Sequence, residues 1–187
     1  QFSSFGFDSS LHDIYYALST GGEVHIISDY LRKDLWELKK YIIERHISVL
    51  SMPYSALKVM YNEIPINEFS GHTITEIIST GEQLYISGGL RDFLLNNPTI
   101  KIYNLYGPSE THVVTGISYS YASGSLPEKA SIGKPIDNTS IYILDQKMQL
   151  VPIGVEGEIF IAGHNLAIGY HHRLDLTSER FIKNPLK

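Results

Sequence analysis

Three short runs, "ISVLSM", "ITEIIS" and "TIKIYNLY", constrain this chain more than any other feature. Each is close to continuously apolar rather than alternating, the pattern of a strand buried on both faces. Between them lie segments of helical character, "YSALKVMY" after Pro53 and "SGGLRDFLLNN". Strands that alternate with helices and offer no polar face imply a parallel sheet covered on both sides. The expected fold is α/β, a parallel sheet flanked by helices.

Further upstream, "SSLHDIYYALSTGG" reads as a helix. Leu11, Ile14, Tyr15 and Leu18 follow the helical spacing, Ser10 with Asp13 resembles a capping box, and Gly21-Gly22 supplies the stop. "EVHIIS" reads as a strand, and "KDLWELKKYIIERH" as an amphipathic helix with Leu35, Leu38 and Ile42 inward. From about residue 118 the character changes. "TSIYILD", "QLVPIG" and "GEIFIAG" are short strands between turn residues, so a β-rich portion follows the α/β portion. The expected division is 1–117 as an α/β subdomain and 118–187 as a β-rich subdomain, incomplete at its C-terminal end. "YASGSLPEKA" is expected to be a mobile loop, and "LDLTSERFI" to form one helical turn capped by Thr177.

Composition narrows the function. A net charge of -5 without any Lys/Arg cluster argues against nucleic acid or an anionic membrane as partner. The absence of cysteine excludes a disulfide framework, a thiolate zinc site and a catalytic thiol, and fits a cytoplasmic location. No apolar run approaches the roughly 20 residues that span a bilayer. The start at Gln1 and the stop at Lys187 read as the ends of a piece cut from something longer.

In an open parallel sheet, ligands gather beyond the carboxyl ends of the strands. Three such ends carry suggestive residues here: Ser51, then Thr80-Gly81-Glu82, then Asn104 through Glu110. All are expected on one edge of the sheet. In the last, "NLYGPSE", Gly107 lets a ligand or a neighbouring backbone approach closely, and Pro108 stiffens the loop. Tyr106 offers a flat face for a base, Ser109 a hydroxyl for a phosphate oxygen, and Glu110 a hard oxygen ligand for Mg²⁺. That combination suits a magnesium nucleotide; a plain turn with a solvated Glu110 uses the same residues equally well. Asp8 has a plain reading too, as a helix-start residue favoured by the dipole. His164, His171 and His172 lack the spaced partners of a metal site and read as exposed loop residues.

"NLYGPSE" resembles the Asn-x-Tyr-Gly-Pro-Thr/Ser-Glu motif of adenylate-forming enzymes, specifically of nonribosomal peptide synthetase adenylation domains. "FGFDSS" looks like the Phe-Asp-x-Ser motif of that family, "STGEQL" like its Gly-Glu-Gln-Leu stretch, and "GEIFIAGHNLAIGY" like its Gly-Glu-Leu-x-Ile-x-Gly-x-x-(Leu/Val)-Ala-x-Gly-Tyr motif. Order and spacing agree, and the resemblance covers essentially the whole chain.

The resemblance implies an enzyme that binds ATP, Mg²⁺ and an amino acid, forms an aminoacyl-adenylate with release of pyrophosphate, and loads the acyl group on the phosphopantetheine of a carrier domain. By motif position, Tyr106 stacks on adenine and Asn104 helps to read its edge. Gly81, Glu82 and Gln83 line the base and ribose side with Gly107 nearby, Ser109 touches phosphate, and Glu110 holds Mg²⁺. Asp8 pairs with the substrate α-ammonium, since a buried cation needs a counter-charge. Ser9, His12, Ser51, Ile78, Thr80, Leu105, Val113 and Val114 line the side-chain pocket, which suits a small or medium side chain with one hydrogen-bonding group. The phosphate loop, the ribose-binding Asp and the catalytic lysine of the family fall outside these 187 residues, so the piece alone is expected not to adenylate. Two alternatives stay open: an acyl-CoA or aryl-acid ligase of the same superfamily, and a degenerate scaffold domain.

Overall fold

The computed structural model describes residues 1–184. A helix α1 (Ser9–Ser19) is followed by α2 (Asp29–Lys33), α3 (Leu35–Glu44), β1 (Val49–Ser51), α4 (Tyr54–Glu63), β2 (Glu76–Thr80), α5 (Gly88–Asn96) and β3 (Lys101–Tyr106). Then come β4 (Thr115–Tyr119), β5 (Lys134–Pro135), β6 (Thr139–Leu144), β7 (Glu158–Gly163) and α6 (Leu174–Arg180). The first sheet has the order β1-β2-β3-β4-β5; β1, β2 and β3 are parallel, and β4 and β5 add on antiparallel. β6 and β7 form a separate antiparallel pair. No helix among the described residues is long and apolar enough to cross a membrane.

The apolar runs form the buried sheet expected of them. Leu50, Ile77 and Ile102 stand in register on one face, while Ser51, Ile78 and Tyr103 form the next row on the other. Around them, Leu38 and Ile42 of α3, Leu57 and Met60 of α4, and Leu90 and Leu94 of α5 are all buried. A knot of rings joins α4 to α5: Tyr61 lies 4.6 Å from Phe93 and 5.0 Å from Phe69, centre to centre. Phe93 is 1% exposed at the centre of that knot. Phe93→Ala is expected to cost about 3–5 kcal/mol, read as a lower urea midpoint with an unchanged slope.

Several local expectations are corrected. "EVHIIS" forms no strand: residues 22–28 carry no regular structure. Ile26 is exposed and Ile27 buried, so the alternation is present, but no described strand pairs with this segment. In α1 the apolar stripe faces outward, with Leu11, Tyr15 and Leu18 each more than half exposed, whereas Ser10 and Asp13 are buried. Long-range polar contacts set that orientation. The Asp13 carboxylate accepts the Phe2 and Ser3 amides at 3.2 and 3.1 Å, so it closes no capping box, and Asp8 caps the helix instead. The Tyr16 hydroxyl donates to Glu76, which also takes the Tyr103 hydroxyl at 3.1 Å; the shared carboxylate pushes the Tyr16 phenol up to about 12.

"YASGSLPEKA" is anchored rather than loose. Leu126 and Ala130 are buried in the core, and the Ile86 and Ala130 amides bond across to Glu128 and Leu84 at 2.8 and 3.0 Å. Of the three short strands expected downstream, "QLVPIG" provides only one isolated bridge, from Leu150 to Leu144. Thr177 lies inside α6 rather than at its start, where its Oγ1 accepts the Tyr170 amide at 2.9 Å. Residue 118 lies within β4, and the first sheet continues to Pro135 before the second begins at Thr139.

Candidate functional site

Because β1, β2 and β3 are parallel, their carboxyl ends share one edge of the sheet. Pairing places Ser51 beside Ile78 and Thr80 beside Leu105. Strand alternation puts these four side chains on one face, and Asn104 and Tyr106 on the other. The Tyr16–Glu76 contact lays α1 across the first of these faces, since Glu76 and Ile78 are two residues apart on β2.

Under α1 lies a cavity of about 400 Å³. Of the expected side-chain pocket, His12, Ser51 and Ile78 line it, and Tyr16, Ile27 and Tyr41 continue the wall. Asp8, Ser9, Thr80, Leu105, Val113 and Val114 are not part of that lining. The His12 Nδ1 is buried without a hydrogen-bond partner, and its ring stacks on Tyr16 at 5.5 Å. Burial pushes the His12 imidazole below its ordinary value, against the pull of Asp13. His12 thus lines the cavity with a ring that keeps one nitrogen without a partner inside the protein.

Asp8 sits at the mouth of α1. Its Oδ1 accepts the Ser9 amide at 2.9 Å, and its Oδ2 lies 3.5 Å from Nδ1 of His112. The helix-start reading is therefore correct as far as it goes, and the second oxygen points to the β3–β4 loop. His112 is two residues beyond Glu110, so Asp8 contacts the same loop that carries Glu110.

The loop itself is tightly drawn. A Cβ on Gly107 would fall 1.5 Å from the His112 carbonyl oxygen, so the bare backbone there is needed by the loop's own chain. The Tyr106 carbonyl accepts the Val114 amide at 2.8 Å, and Val114 is fully buried. Pro108 O takes the Thr111 amide at 3.0 Å, leaving Ser109 exposed at the tip.

Glu110 is half-buried and far from simply solvated. Its carboxylate accepts the Tyr170 hydroxyl, and its main-chain oxygen accepts the Ala167 amide at 2.7 Å. The phenol holds the Glu110 carboxyl below the usual carboxylate range, and the same contact raises Tyr170. Asn165 Nδ2 adds long contacts to the Thr111 and Val113 carbonyls, at 3.4 and 3.5 Å.

Other expected nucleotide residues have their polar groups committed within the protein. Glu82 accepts the Ser55 amide and hydroxyl at 2.7 and 3.0 Å, at the N-terminal turn of α4. Gln83 donates to the Ala130 carbonyl at 2.8 Å, and Asn104, 2% exposed, donates to the Ser131 carbonyl at 2.8 Å. Gly81 is exposed with φ +82°. His164, His171 and His172 are exposed, and no cluster of three metal-ligating side chains exists among the described residues. Sequence reasoning missed His112 and Tyr170. Both lie inside or beside recognised motifs, but nothing in either motif announces the contact.

Residues 1–171 match the AMP-binding enzyme family, and the chain belongs to it. The relatives it resembles are nonribosomal peptide synthetases. It is 40% identical to tyrocidine synthase 2 of Brevibacillus parabrevis over 99% of its own length, and 38% identical to gramicidin S synthase 2 of Brevibacillus brevis over 100%. It spans only 5% and 4% of those two proteins. Among solved structures, the four-domain nonribosomal peptide synthetase AB3403, bound to AMP and glycine, superposes with a TM-score of 0.83 at 29% identity, over 98% of this chain and 13% of that one. The N-terminal subdomain of Klebsiella oxytoca NpsA shares the fold at a TM-score of 0.72 and 24% identity, over 97% of this chain and 45% of that one.

Proposed function

We propose that this chain is the central part of an adenylation domain. In that reading the complete domain joins an α-amino acid to Mg-ATP, releases pyrophosphate, and passes the aminoacyl group from its adenylate to the phosphopantetheine thiol of a carrier domain. The observation that supports the reading is the approach of Asp8, at the N-terminus of α1, to His112 of the β3–β4 loop, the loop that also carries Glu110. Asp8 suits the substrate ammonium and Glu110 a divalent ion. The likeness to AB3403, which was solved with AMP and glycine, supports the same assignment.

The donor set fits magnesium brought in with a nucleotide. Glu110 is a single carboxylate held ionised by Tyr170, with no three-ligand cluster around it among the described residues. Mg²⁺ accepts one or two protein carboxylates and completes its shell with waters and phosphates. Its contribution is to neutralise phosphate charge. Tyr106 would then stack on the base, with Gly81 bordering the base side and Gly107 shaping the loop. Ser109 would donate to phosphate. Glu82, Gln83 and Asn104 would act chiefly by fixing the loops to which they are bonded. Asp8 would orient the amine, leaving the substrate carboxylate free to attack the α-phosphate. Positioning of this kind supplies much of a bimolecular rate enhancement. His12 and Ser51 would meet a side chain of medium size bearing one hydrogen-bonding group, against Ile78, Ile27 and Tyr41 of the cavity under α1, while Ser9, Thr80, Leu105, Val113 and Val114 lie outside that lining.

The test is ATP–pyrophosphate exchange by the complete domain across the twenty amino acids, with fatty and aryl acids in parallel. Exchange confined to one or a few amino acids is expected. Exchange with fatty or aryl acids would move the chain to the acyl- or aryl-ligase reading. Magnesium-ATP binding without exchange on any acid would leave a scaffold.

A further inference from the structure

We infer that Tyr170, a residue of the "GEIFIAGHNLAIGY" segment, is a positioning residue for Glu110, and that this segment holds the carboxylate ready for the nucleotide's divalent ion. The inference rests on the assignment of Glu110 to magnesium made above.

The segment grips the β3–β4 loop at three levels. The Ala167 amide fixes the Glu110 main chain at 2.7 Å, Asn165 reaches the Thr111 and Val113 carbonyls, and the Tyr170 hydroxyl meets Glu110 Oε1. Tyr170 is itself located from outside the loop. Its amide donates to Thr177 Oγ1 at 2.9 Å, and its ring meets the edge of Phe181 at 5.7 Å. The ring thus has a packing partner that a phenylalanine would keep, while the hydroxyl is directed to the acid.

A free glutamate side chain must be ordered before it can ligate an ion, and ordering costs conformational entropy. A hydroxyl donating to one carboxylate oxygen bears that cost in advance, and favours the charged form. The Tyr170 hydroxyl engages Oε1 alone, so Oε2 would be the oxygen offered to the ion. Second-layer donors of this type commonly change metal affinity by about 10- to 100-fold.

Calorimetry of Mg-ATP binding to the complete domain, with and without magnesium, tests this. Tyr170→Phe is expected to weaken Mg-ATP binding about tenfold, to leave magnesium-free ATP binding within about twofold of the parent, and to preserve the melting temperature. In exchange assays the half-saturating magnesium concentration should rise while the amino-acid KM stays fixed. An unchanged Mg-ATP affinity overturns the inference, as does an equal loss with and without magnesium, which would mark general damage to the loop. Glu110→Gln separates the two layers. If Glu110→Gln weakens Mg-ATP binding and Tyr170→Phe does not, only the positioning role falls; if neither does, the magnesium role of Glu110 falls as well. A complete domain that binds no ATP in any form sinks the adenylation reading itself.

Discussion

Asp8→Asn in the complete domain is expected to raise the KM for the amino acid by about 30-fold while the KM for ATP stays near its parent value. Truncating one partner of a buried charge pair costs roughly 2–5 kcal/mol. The Asp8 side chain is 32% exposed, so solvent screens part of this and the low end applies, about 2 kcal/mol. Asparagine is the informative choice because Asp8 has two tasks. Its Oδ1 caps α1 through the Ser9 amide, and asparagine caps about as well as aspartate. The substitution therefore removes charge with little change in helix stability. Asp8→Ala should add a loss of about 1 kcal/mol in folding stability from the missing cap. Exchange kinetics over a range of amino-acid concentrations, alongside thermal melts, separate these effects. An amino-acid KM that does not move in Asp8→Asn would remove the carboxylate from the substrate site and leave it a helix cap.

The contrast between what the sequence discloses and what it hides has a consistent physical basis. β1, β2 and β3 were legible because burial on both faces demands apolar side chains at successive positions, as at Ile77 and Ile78. α3 was legible because Leu38 and Ile42 lie on its buried side. α1 was legible as a helix but not in its orientation. Its outward apolar stripe is overruled by Asp13, which holds the Phe2 and Ser3 amides, and by Tyr16, which reaches Glu76 sixty residues away. Local periodicity cannot register such contacts. "YASGSLPEKA" has the composition of a free loop, yet burial of Leu126 and Ala130 pins it. The site divides the same way. Asp8 and Glu110 stand out within short motifs, whereas the Glu110–Tyr170 pair joins two motifs sixty residues apart and becomes visible only when they fold together. Glu82 illustrates the reverse. A residue that looks nucleotide-facing in its motif has its carboxylate bound to the first turn of α4.

Gly107→Ala should do the most damage of any single methyl group added at this corner. The added Cβ would stand 1.5 Å from the His112 oxygen, a bonding distance, and 2.5 Å from its carbonyl carbon, far inside van der Waals contact. No rotamer relieves this, because both partners are main chain. The φ of Gly107 is not in the left-handed region, so the penalty is purely one of space. The loop must open, and the Val114 amide bond to the Tyr106 carbonyl, 2.8 Å long, lies directly against the opening. Beyond it, Tyr106 pairs with Thr115 in the β3–β4 ladder. Gly107→Ala is expected to lower folding stability by about 3 kcal/mol, the upper end for an overpacked site, and to abolish detectable Mg-ATP binding under conditions where the protein remains folded. Gly81→Ala is the matched control on the neighbouring strand end. Nothing lies within 4 Å of its added Cβ, but φ is +82°, so the cost is backbone strain of about 1–2 kcal/mol. Urea midpoints and nucleotide titrations on both variants distinguish crowding from strain. If Gly107→Ala melts with the parent and still binds Mg-ATP, the loop is looser than its contacts require, and the corner cannot owe its shape to the close approach of residues 107 and 112.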